Sequence, residues 1–172
     1  MKKVFVILFV VLFGMVSIKA FSSTIAVVDL GKVMSNSQAG KNAKTQIDSL
    51  IAAKKMVINR KIEDIKSIAK KLQNKKISKA QKKKETDLYE NKIRDLQQYK
   101  ASAAQEIREK ENKLSSKMIN DIVKIIKKYA VKHNIDAVLE TGRGINVIYW
   151  NDKLDITKKI TQLFDKQYSS KK

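Results

Sequence analysis

The chain has 172 residues, and its 37 Lys or Arg against 17 Asp or Glu give a formal charge of +20 at neutral pH. It contains no cysteine and no proline, which excludes disulfide staples, thiolate metal sites and a cysteine nucleophile. Stability must come from packing or from association with other chains, and the charge favours acidic partners such as phosphate, anionic lipid head groups or acidic protein.

The first element reads as a targeting segment. Lys2 and Lys3 precede an apolar run from Val4 to Val16, and a small-residue zone from Ser17 to Ser23 offers a cut after Ala20 or Ser22. The run is shorter than the roughly 20 residues that cross a bilayer, so residues 1–20 are expected to be a cleaved signal peptide. Their removal takes away Lys2, Lys3 and Lys19 and leaves +17. Most of that charge is local. Between Lys41 and His133 there are 26 Lys or Arg and 11 Asp or Glu.

Thr24 to Leu30 is apolar and β-branched, ends at Gly31, and predicts a mostly buried strand. The stretch from Lys41 to His133 contains no glycine and no proline. Within it, Ile51, Ile58, Ile65 and Leu72 recur every seven residues, with Ile62 and Ala69 between them, which is the seam of a coiled coil. The seam stops at Gln73-Asn74-Lys75-Lys76-Ile77, and Ser78 with Gln81 fits a capping box at the start of a second helix. That helix is predicted from Lys79 to about Lys132, with Tyr89, Ile93, Leu96, Ala103, Ile107, Leu114, Met118, Ile122, Ile125 and Tyr129 along its seam. Two helices joined by a short turn pack antiparallel, so the insert reads as a hairpin arm whose ascending helix, Ser37 to Gln73, extends roughly 55 Å at about 1.5 Å per residue.

The arm is expected to be marginally stable. Lysines 54, 61, 100 and 110 fall where seam residues belong, and alanines 69 and 103 thin the packing. Ile58, Ile62, Ile65, Leu88, Ile93 and Leu96 are expected to pack the two helices against each other. Ile77, Tyr89 and Tyr99 are candidates for partial exposure, and Lys82, Lys83 and Lys84 place charge near the tip. These six residues are the arm's candidate partner-contact set.

After the arm, Asn134 to Glu140 and Ile145 to Trp150 are apolar runs flanking Thr141-Gly142-Arg143-Gly144, a pattern that predicts a β-hairpin. Asp155 is placed to cap a closing helix from about Ile156 to Gln167, with Ile156, Ile160, Leu163 and Phe164 on one face. A small body carrying a long arm suggests that several chains combine strands into one core. The predicted fold class is therefore α+β: a small β-strand body with a long antiparallel coiled-coil hairpin. Its divisions are residues 21–40 and 134–172 for the β-rich, associating body and 41–133 for the arm.

No residue set points to catalysis, a cofactor or a metal. The single histidine, His133, falls at a helix C-terminus, where a polar or charged ring is favoured. Asp29 at the strand end is expected to serve local hydrogen bonding. Glu63, Asp64, Glu106, Glu109 and Glu111 lie among lysines as solvated pairs, and no cluster has metal-ligand spacing.

Ile25, Val27, Asp29, Leu30 and Gly31 at one end, and Ile135, Asp136, Val138, Asp155, Ile156 and Thr157 at the other, resemble the Skp/OmpH family of periplasmic chaperones. The resemblance implies a homotrimer whose strands form a shared barrel, with Ile25, Val27, Val138 and Val147 in its core. It also implies a periplasmic location, no ATP, and a cavity between three arms that holds unfolded outer membrane proteins. Contact with anionic lipid or lipopolysaccharide surfaces comes with the family, without an assignable site. Two other readings stay open: an envelope scaffold or adaptor, and a nucleic-acid binder, for which the leader and the lack of an arginine array are poorly suited.

Overall fold

The computed structural model describes residues 23–74, 77–142 and 147–170, so the leader and its cleavage site lie outside the described residues. The order is β1 (Ile25–Val28), α1 (Leu30–Asn36), α2 (Gln38–Leu72), α3 (Lys79–Lys132), β2 (Ala137–Glu140), a 3₁₀ turn (Asp152–Leu154) and α4 (Thr157–Ser169).

Each helix boundary has a chemical cause. The Asp29 carboxylate accepts from the Lys32 N–H at 2.8 Å and starts α1. Buried Ser37 separates α1 from α2: its hydroxyl donates to the Met34 carbonyl at 2.9 Å and accepts from the Gly40 N–H at 3.1 Å. At the arm's far end the predicted capping box is formed, with the Gln81 N–H on the Ser78 hydroxyl and the Ser78 N–H on the Gln81 side-chain oxygen. The other end of α3 closes in a Schellman motif. Asn134 takes a left-handed φ of 51°, and the Ile135 N–H reaches the Ala130 carbonyl at 3.0 Å. Asparagine tolerates that conformation better than most residues because its short side chain bonds locally.

The two long helices form the antiparallel arm, and α2 alone spans about 52 Å at 1.5 Å per residue. Its seam differs in phase from the sequence expectation. Near the body the half-buried stripe on α2 runs through Ile47, Leu50, Lys54, Val57 and Lys61, with Ile58 half-buried as expected and Ile51 41% exposed. Further out the stripe passes through Ile62, Ile65, Ile68 and Leu72, as the apolar pattern requires. The shift occurs because Lys54 and Lys61 occupy the seam and find polar partners there. Leu88, expected in the seam, is exposed.

The strands are also arranged differently from the predicted hairpin. β2 pairs with β1 in parallel, with Ile25 opposite Ala137 and Val28 opposite Glu140. Residues 147–150 belong to no strand, and residues 143–146, which hold the second half of the predicted turn and the start of the predicted second strand, lie outside the described residues. The pairing is decided by burial: Ala26, Val28 and Val138 share the pleat that faces the helices, so β2 gains more by lying beside β1 over that core. The rest of the core is helical. Val33, Ile122, Ile125, Ile126, Ile156, Ile160 and Phe164 meet beneath the two-stranded sheet. The body therefore borrows the bases of both arm helices, and among the described residues it is richer in helix than in strand.

Candidate client-binding surface

Chain geometry divides the candidate residues between the arm and the body. On the arm, Lys82, Lys83 and Lys84 are exposed in the first turns of α3, while Ile77, Tyr89 and Tyr99 are half-buried. Tyr99 is held by its neighbours on α2. The ammonium groups of Lys54 and Lys61 lie 5.9 and 5.6 Å from its ring centroid, within cation–π range. Lys54 also donates a short hydrogen bond to Glu106, and that bond holds the Lys54 pKa above its ordinary value despite partial desolvation. At Glu63 the hydrogen bond from Lys66, one turn on, lowers the carboxyl pKa.

These contacts define what the arm surface can do. Within the described residues of α2 no side chain from Lys44 to Asp64 is fully buried, so the helices are joined there by half-exposed ionic and ring contacts. Such contacts are weak and re-form easily, since exposed ion pairs contribute under about 1 kcal/mol. The outer part, with Ile65, Ile68 and Leu96 buried, is closed by apolar packing, while buried Ala103 lies in the inner stretch between Tyr99 and Glu106. Lysine ammonium groups surround both regions and offer adaptable donors with no fixed register.

In the body, the trimer-core candidates fall on different surfaces. Val27 is 2% exposed within its own chain, and Val138 packs on the helical core. Ile25 lies on the pleat opposite Val138, the pleat that also carries Val27, and is 42% exposed; Leu139, across from Val27 on that pleat, is 43% exposed. Val147 is half-buried, while Ile148 and Tyr149 beside it are 98% and 82% exposed. Leu139, Ile148 and Tyr149 escaped the sequence reading. Strict alternation in the second strand would have placed Leu139 opposite Val138; for Ile148 and Tyr149 the hairpin pattern pointed elsewhere.

The end motifs meet in one junction. The Asp29 N–H donates to the Thr157 hydroxyl at 2.9 Å, the Asp155 carboxylate accepts from the Thr157 N–H at 2.7 Å, and the Ile156 N–H reaches the Val27 carbonyl at 2.9 Å. Formally Ile156 occupies the cap position of α4, and Asp155 supplies the side-chain bond from one residue earlier. Asp29 is thus a cap and a stitch between strand and closing helix, which suits a structural role. His133 ends α3 with its ring 4.2 Å from that of Tyr129. Among the described residues, no group of three His, Cys, Asp or Glu could hold a metal ion.

The same two ends and the arm between them are matched by a family model described as outer membrane protein (OmpH-like), over residues 24–164. The chain belongs to this family. A crystal structure of a candidate OmpH-like outer membrane chaperone from Caulobacter crescentus CB15 superposes with a TM-score of 0.76 at 16% identity, covering 85% of this chain and 86% of that one. An uncharacterized protein of Aquifex aeolicus (strain VF5) is 25% identical over 147 residues, 86% of this chain and 89% of its own length. The OmpH-like chain thus shares its long-armed fold with a solved relative at an identity where individual surface residues are not expected to correspond. Among its described residues no helix is long and apolar enough to cross a membrane.

Proposed function

We propose that this OmpH-like chain is an ATP-independent periplasmic holdase. It assembles as a homotrimer, binds unfolded outer membrane proteins in the cavity between three basic arms, and prevents their aggregation. The observation that carries this reading is the arm itself, a hairpin tens of ångströms long on a small body. Its outer faces are lysine-rich, and part of its seam is ionic rather than apolar. A holdase without a nucleotide cycle needs many weak contacts in place of a few strong ones. Like-charged arms repel one another and keep the cavity open, and they attract acidic clients over a Debye length of about 8 Å. The exposed lysines 82, 83 and 84 also give anionic lipid or lipopolysaccharide a surface to contact.

Trimer formation is supported by the outer pleat. Ile25 and Leu139 expose apolar surface on one pleat, and Ile148 and Tyr149 expose more, on a chain that otherwise carries an excess of charge; exposed large apolar side chains of this kind suit an association surface. The reading requires no acid–base or metal chemistry.

The arm is tested by shortening it. Lys54 meets Glu106 and Lys61 meets Tyr99, so residues 64 and 97 lie close to opposite one another. Removing Ile65 to Leu96 and joining the ends through a short Gly-Ser turn preserves the body core. The shortened protein is expected to stay folded and trimeric and to lose the ability to keep a urea-unfolded outer membrane barrel soluble. Full protection by the shortened protein would place client binding on the body and overturn the cage.

A further inference from the structure

On the body, away from the arm tip, α3 and α4 leave a groove of about 460 Å³. Its floor is Ile125, the Tyr129 ring and Leu163, all buried or half-buried, and its edges carry the exposed side chains of Lys128, Lys132, His133 and Lys159. No carboxylate lines it. The three lysines form no ion pair among the described residues, whereas Lys124, one turn before Lys128, is paired with Asp121. His133 on the edge stacks beside the Tyr129 ring of the floor, with the rings 34° apart.

We propose that this groove docks a short acidic peptide segment of another protein, with one bulky apolar side chain on the floor and flanking Asp or Glu on the lysine edges. The occupant follows from charge and shape. An apolar floor selects a side chain, and unneutralised lysines on its edges select anionic flanks. The groove is concave and spans two turns of α3, about 12 Å at 1.5 Å per residue, which suits an inserted side chain and not the flat surface of a bilayer. A second copy of this strongly basic chain would bring like charge to the same edges. This docking does not rest on the chaperone reading, since the groove lies outside the arms.

The test uses the mature full-length protein and a fluorescein-labelled peptide with a central Leu-Phe pair flanked by two aspartates on each side. Anisotropy is expected to saturate at one peptide per chain, and the peptide is expected to slow hydrogen exchange in residues 125–133 and 159–167. Changing Lys128→Glu, Lys132→Glu and Lys159→Glu together should weaken binding roughly tenfold or more, while Lys82→Glu, Lys83→Glu and Lys84→Glu should leave it unchanged. If the first set loses helical circular dichroism, the Gln versions of the same three positions replace it and should show the same loss. Protection of unfolded barrels, measured alongside, should survive the groove changes, which separates failure of this site from failure of the cage. Equal weakening by the tip changes, equal binding of a peptide with lysines in place of its aspartates, or protection of 125–133 by phosphatidylglycerol vesicles but not by peptide would each overturn the proposal.

Discussion

Gly40 and Thr157 carry more of the structure than their size suggests. A Cβ on Gly40 would lie 1.7 Å from the Met34 carbonyl oxygen, a backbone atom that cannot swing aside. The glycine therefore allows α2 to leave α1 through the sharp corner at Ser37, and Asp165 of α4 secures that corner by accepting the Gln38 N–H at 2.8 Å. Gly40→Ala should destabilise the body by about 2–3 kcal/mol through overpacking, read as a lower denaturant midpoint with unchanged slope. At Thr157 the cost is different. Thr157→Val keeps the shape but leaves the Asp29 N–H without its acceptor, which should cost about 1–3 kcal/mol. Thr157→Ser should restore most of the loss. Equal stability of the Val and Ser variants would remove the stitch from the account.

At the scale of elements, the helix limits were legible where their signals are local. Ser78 and Gln81 stand three apart, and Asp155 precedes the closing helix; α1 and the left-handed turn at Asn134 were not legible, because the apolar run to Leu30 reads as strand and Asn134 opens the next apolar run. The strand pairing was not legible, because β1 and β2 lie more than a hundred residues apart and a glycine turn nearby offered a shorter-range alternative. The seam was legible along α3, where each expected residue from Tyr89 to Tyr129 is buried or half-buried, and on α2 from Ile58 outward, but not at Ile51. Near the body Lys54 and Lys61 take seam positions, and their partners Glu106 and Tyr99 are visible only once α3 is folded back. The same two lysines give a prediction. Lys54→Leu with Lys61→Leu replaces half-exposed polar contacts by apolar burial, so the arm should exchange its amide hydrogens more slowly and should hold fewer kinds of client, having lost adaptability. Faster exchange would show that the ionic contacts are the stronger fastening. In the unmodified chain the Lys54 pKa is raised chiefly by its bond to Glu106. The contribution of that pair is therefore fully present below the ordinary lysine value of 10.5 and is lost as pH rises through the higher, folded value. Exchange in the inner arm is expected to accelerate beyond its intrinsic alkaline rise only above that pH.

The whole molecule depends on what covers the outer pleat. Val27 is buried in the single chain and half-buried Val138 packs on the helical core, so a charge at either would damage the body before it could report on assembly. Ile25 and Leu139 are the separating positions. Ile25→Asp with Leu139→Asp should leave helical circular dichroism intact and dissociate the trimer, since charges in a shared apolar contact cost several kcal/mol. Sedimentation would then give a monomer mass, and a trimer mass would move the interface to the arms. Native mass spectrometry of the mature protein, alone and after dilution of several unrelated urea-unfolded outer membrane barrels into it, tests assembly and holding together. The account predicts three chains alone and three chains with one barrel for each client offered. A monomer alone, or a complex with a single barrel and none with the others, would contradict it.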